Sequence, residues 1–97
     1  MKAHELIADP KHWIRGQYAR DSRDIVVKPD STQAVCWCIK GAVIKCYGEY
    51  TKEGIKHMTN IRQRIRTLYG VKFITDFNDS VNTTHEQIVN ILKGLDI

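Results

Sequence analysis

Residues Ala34 to Tyr47, AVCWCIKGAVIKCY, constrain the fold more than any other part of the chain. Eleven of these fourteen residues are apolar, and Lys40 and Lys45 are the only charges. A run that is apolar around most of a helical circumference and ends at Gly48 predicts a central buried helix, which the other segments must wrap. Asp30 and Ser31 stand just before it as cap residues, so the expected helix covers Ser31 to Tyr47. Gly41 falls inside it, where glycine costs ~1 kcal/mol against alanine. Its presence points to another helix crossing closely at Gly41 and Ala42.

A chain of 97 residues is expected to fold as a single compact domain, burying roughly 60–70% of its extended surface. Hydrophobic content of 42% and charged content of 27% are globular values, so extended disorder is not expected. No apolar run approaches the ~20 residues of a membrane span. The first ten residues, MKAHELIADP, interrupt their apolar positions with His4, Glu5 and Asp9, which argues against a signal peptide. A cytoplasmic protein with no membrane partner is the expectation. Three cysteines, all in the central stretch, fit reduced thiols and not a disulfide framework.

Around that centre the punctuation is legible. Lys2 to Ala8 predicts a short docking helix through Ala3, Leu6 and Ile7, ending near Pro10. Asp9 and Pro10 should start a further helical turn that delivers Trp13 and Ile14 to the core before Gly16. Tyr18-Ala19-Arg20 and Ile25-Val26-Val27 flank a polar turn and predict a small hairpin, packed through Tyr18, Ile25 and Val27. Thr51 caps a helix from Lys52 to Tyr69 that Gly70 ends, with Ile55, Met58, Ile61, Ile65, Leu68 and Tyr69 on one side. Val71 to Ile74 reads as an extended strip and Asp76 to Ser80 as a turn anchored by Phe77. The last helix opens with a capping box, either Thr83 with Glu86 or Thr84 with Gln87, and buries Ile88, Ile91, Leu92 and Leu95. The fold class is therefore mainly helical α+β: a central buried helix packed by a long basic helix and a C-terminal helix, with a small β-hairpin on the flank.

Certain stretches resemble a family of small uncharacterised domains of bacteria and their phages. They are Trp13-x-x-Gly16 leading to Tyr18-Ala19-Arg20-Asp21, Ala34-x-x-Trp37-Cys38-x-x-Gly41-Ala42, Phe77-Asn78-Asp79 and Thr84-His85-x-x-Ile88-Val89-x-x-Leu92. The resemblance spans most of the chain. It departs at the long basic helix between Thr51 and Gly70, and at Ser80 to Thr83, where relatives usually carry a glycine-containing turn. The family has no assigned activity, so the resemblance implies the segmentation and no mechanism.

The functional reading rests mostly on charge. The helix from Lys52 to Tyr69 carries Lys52, Lys56, Arg62, Arg64 and Arg66 against Glu53 alone, a surplus equal to the +4 of the whole chain. With Lys72 these cations form an array of the kind that phosphates or carboxylates require, although a merely solvated helix face would carry the same residues. No helix-turn-helix signature, glycine-rich phosphate loop or interleaved aromatics accompany them. The expectation is a small binding protein that needs no cofactor and engages an acidic protein or a nucleic acid. The phage resemblance implies a specific version, inhibition of a host system, and a homo-oligomer is left open.

The alternative is a small cysteine-dependent hydrolase or transferase, with Cys38 as nucleophile, His85 as base and Asn78 or Asp79 as orienting partner. Burial of Cys38 inside an apolar helix would oppose it, because burial disfavours the thiolate. Metal binding is not expected. Cys36 and Cys38 would point about 200° apart on a helix, and His4, His12, His57 and His85 show no ligand spacing.

Overall fold

In a computed structural model that describes residues 1–97, the Ala34–Tyr47 stretch divides in two. Its first part is the short strand β2 (Cys36–Trp37), and only its second part is helical, α2 (Ile39–Tyr47). The expected helical start at Ser31 is thus corrected. Ser31 caps a turn instead, its hydroxyl accepting from Gln33 N–H at 3.1 Å. The partner of β2 is β1 (Ala19–Arg20), antiparallel, with Ala19 opposite Trp37 and Arg20 opposite Cys36. Val35 N–H donates to the Arg20 carbonyl and Cys38 N–H to the Tyr18 carbonyl, so the pairing claims this backbone before the helix can. A short apolar run satisfies strand and helix equally well by period, and here β-branched and aromatic side chains with a waiting strand decide it.

The segment from Ile25 to Val27 joins only as a bridge, Val26 to Arg20. Asp21 holds the turn between them, accepting from Arg23 and Ile25 N–H at 2.9 Å each. Those amide donors, with the Arg23 guanidinium, keep the Asp21 carboxyl below its ordinary pKa against the opposing effect of burial. Of the three side chains expected to seat the hairpin, Val27 packs on the core, whereas Tyr18 and Ile25 are exposed.

The remaining elements follow their caps. α1 (Ala3–Leu6) buries Ala3, and a 3₁₀ turn at Pro10–His12 starts at Asp9, whose carboxylate accepts from Lys11 N–H. α3 (Lys52–Tyr69) is 18 residues long, capped by Thr51 and closed by Gly70 in the left-handed conformation. Phe73 leads into α4 (Ile74–Asp79), a short helix where a turn was expected. α5 (His85–Gly94) opens with the Thr84–Gln87 capping box, the second of the two predicted pairs.

One core joins these pieces. Ile39, Ala42 and Val43 of α2 meet Ile61 and Ile65 of α3, Ile74 and Phe77 of α4, and Ile88, Ile91 and Leu92 of α5, with Ala3 and Ile7 beside them. The radius of gyration, 12.2 Å, matches the ~12.5 Å of a compact chain of this length. The close approach expected at Gly41 is present, but its neighbour is a strand end and not a helix. A Cβ there would overlap the Tyr18 carbonyl, the same group that Cys38 N–H uses.

Candidate functional site

Asn78 lies at the centre of the residues proposed for thiol chemistry. It is 1% exposed, and α4 aims it at the junction between α2 and the Trp13–Gly16 segment. Its Oδ1 accepts from Trp13 Nε1–H at 2.9 Å and from Ile39 N–H at 3.0 Å. Its Nδ2 donates to the Ile14 carbonyl at 3.0 Å and to Asp79 Oδ1 at 2.9 Å. Asp79 Oδ1 also accepts from Gly16 N–H at 2.9 Å. Both ends of the Asn78 amide are therefore fully engaged in tying three segments together, which leaves none of its polar atoms free to orient a base.

Cys38 belongs to the same junction. As N-cap of α2 it presents Sγ to Gly41 N–H at 3.3 Å, the place a serine or aspartate oxygen normally fills. The expectation that Cys38 sits well inside a helix is corrected. Its burial holds and pushes the thiol pKa up, outweighing the Gly41 and Lys40 amides at the helix N-terminus, which draw it down, while the Asp79 carboxylate adds to the rise. Cys38, Asn78 and Asp79 line one small cavity of about 40 Å³ with Tyr18, Lys40 and Thr75.

His85 is not among the residues of that cavity. Its Nε2 donates to the Ile7 carbonyl at 2.6 Å and its ring lies 5.8 Å from Trp13. The structure thus brings Cys38, Asn78 and Asp79 together, while His85 is spent on α1. Native Cys38 should accordingly resist iodoacetamide until the protein unfolds, and His85→Ala should leave that protection unchanged, as followed by mass spectrometry under native and denaturing conditions. Cys38→Ala should cost about 1 kcal/mol, the scale of one small buried group. No three His, Cys, Asp or Glu side chains are grouped so as to hold a metal ion.

The basic residues divide by helical phase. At about 100° per residue, Arg62 and Arg66 lie about 40° apart, and Arg64 lies about 160° from each. Arg62 and Arg66 meet Lys72, Gln63 and Phe73 in a cavity of about 280 Å³. No carboxylate lines it, and none of the three cations makes an ion pair. Lys72 Nζ sits 5.7 Å above the Phe73 ring, a cation–π distance. Arg64 faces the other way, toward Asn60, Thr67 and Leu95. Lys52 and Lys56 are exposed on the outer side of α3.

A second depression of about 550 Å³ runs between α2, α3 and the start of α4, and it shares Arg62 and Phe73 with the cationic cavity. Sequence reasoning missed it. Ile55, Leu68 and Tyr69, all assigned to the packed side of α3, are instead exposed, Ile55 by 54%, and Phe73 beside the depression is 55% exposed. A helix of 18 residues is about 27 Å long, and α2, at nine residues, covers only part of its apolar stripe.

A family model described as a family of unknown function, DUF6197, matches residues 1–94. The chain belongs to the DUF6197 family. No curated protein and no solved structure matches this DUF6197 chain. No helix of it is long and apolar enough to cross a membrane.

Proposed function

We propose that this DUF6197 chain is a binding module, without catalysis of its own, that meets an acidic protein through the face formed by α3 and the connection from Gly70 to Phe73. The observation that carries this reading is the convergence of Arg62, Arg66 and Lys72 on one cavity with no carboxylate to offset them. Solvated cations in that arrangement add little to folding, yet together they hold a positive potential that an anion can discharge. Lys52 and Lys56 extend the field along the outer side of α3. The apolar depression beside the cations favours a protein partner over a nucleic acid, whose backbone asks for charge alone. Resemblance to phage domains supports the specific version, in which a cytoplasmic host component is held inactive by direct binding.

The test uses the purified chain as bait in a lysate of its native host, treated with nuclease, followed by titration of whatever co-purifies. Arg62→Glu with Arg66→Glu should weaken that association by about tenfold or more and flatten its salt dependence, while the melting temperature stays nearly unchanged. Undiminished binding by the folded double variant would take these cations out of the interface. Loss of the co-purifying component on nuclease treatment alone would assign the face to nucleic acid.

A further inference from the structure

The cationic cavity and the apolar depression share two residues, Arg62 and Phe73, and are therefore one surface with two chemistries. At the apolar end Ile44, Met58 and the exposed Ile55 face a space of about 550 Å³, ample for a leucine, phenylalanine or tryptophan side chain. Singly scattered exposed apolar residues need no explanation, but large ones gathered in one groove mark a contact surface. The charges along it are not uniform. With the shared Arg62 assigned to the cationic end, the apolar end carries Lys40 against Glu49 and Asp76, a net negative charge, whereas the other end holds Arg62, Arg66 and Lys72 with no carboxylate.

We infer that this groove docks a linear acidic peptide segment of the partner, with one large apolar side chain seated against Ile55, Met58 and Phe73 and its carboxylates all on one side, at Arg62, Arg66 and Lys72. This rests on the binding-module reading above and adds an anchor and a direction to it. Arg62 and Arg66 are one helical turn apart and can each take a carboxylate through a guanidinium fork. The anchor supplies the desolvated centre that charge on a rim cannot. Acids on the wrong side of the anchor would meet Glu49 and Asp76 at an end where only Lys40 offsets them, which sets the orientation.

A displayed library of random peptides selected on the folded chain provides the probe, and the enriched peptides are then synthesised and titrated by fluorescence anisotropy. The expected sequences carry one large apolar residue with two or more Asp or Glu to one side of it. Ile55→Ser with Phe73→Ser, both sites being half exposed and outside the buried core, should weaken the enriched peptide by about tenfold or more, the scale of one lost aromatic anchor. Arg62→Glu with Arg66→Glu should weaken it comparably.

Acidic peptides that lack an anchor and ignore the Ile55 and Phe73 variant would overturn the groove while leaving the cationic face standing. Enrichment without acids, or no enrichment, together with indifference to charge reversal, would overturn both. An oligonucleotide that displaces the peptide at equal charge would overturn the peptide as occupant. So would concentration-dependent self-association blocked by the Ile55 and Phe73 variant, which would assign the groove to a second copy of the chain.

Discussion

Asn78→Ala is expected to destabilise the protein by about 3–5 kcal/mol. The substitution removes few atoms, but it strips partners from Ile39 N–H, Trp13 Nε1–H and the Ile14 carbonyl at once. Each buried polar group left unpaired costs ~1–3 kcal/mol, and local relaxation that re-pairs some of the three keeps the total short of a simple sum. Against a total stability of about 5–15 kcal/mol the loss brings the protein near its unfolding threshold. Urea titration measures it directly. A loss below about 1 kcal/mol would mean that water replaces the amide and that the junction is held by packing alone.

Trp37→Ala should cost a similar ~3–5 kcal/mol for a different reason. Trp37 is 6% exposed, pairs with Ala19 across the sheet, bridges to Trp13, and donates from Nε1 to the Pro29 carbonyl at 2.9 Å. Truncation leaves a cavity where β2 meets the core and an unpaired carbonyl on the loop that precedes it. At ~4–8 °C per kcal/mol for a domain of this size, the melting temperature should fall by more than about 10 °C. An unchanged melting temperature would show that the two-stranded sheet is peripheral to stability.

The two sites differ in how well the chain announces them. The caps at Asp9, Thr51 and Gly70 were legible, because they act through local backbone geometry that a short window contains, whereas Thr84 was one of two candidates and the cap of α2 is Cys38, not the expected Asp30 or Ser31. The extent of α3 and the burial of Phe77 follow from the same local rules. Central-helix length was not legible, since Ala34 to Trp37 could satisfy either period and the deciding partner, Ala19–Arg20, lies far back in the chain. Gly41 was readable as a place of close approach but not as to what approaches, because a missing Cβ marks space without naming its occupant.

The candidate residues divide along the same line. Arg62 and Arg66 share a face by helical phase, which sequence supplies, whereas Lys72 and Phe73 join them only through the direction in which the chain leaves Gly70. Cys38, Asn78 and Asp79 do come together, and the hydrogen bonds they make there are ones that cap a helix or hold segments to each other. The thiol caps a helix, the amide joins segments, and the carboxylate holds Gly16. Such roles draw on the same hydrogen-bonding capacities that a catalytic site uses, so residue type alone could not separate them.

The reach of Asn78 has a kinetic consequence. Its partners lie 65, 64 and 39 residues away along the chain, whereas the backbone bonds of α3 are all local. Long loops must close before any of those contacts forms, and directed hydrogen bonds demand closer alignment than the apolar packing that spans the same loops. The junction is therefore expected to form after the core, with Asn78→Ala raising the unfolding rate and leaving the folding rate nearly unchanged in stopped-flow measurements. A junction absent from the folding transition state leaves the rate of folding almost untouched and sets the rate of escape from the native state. On that expectation the amide is a latch: it contributes little to finding the fold and much to how long each molecule stays in it.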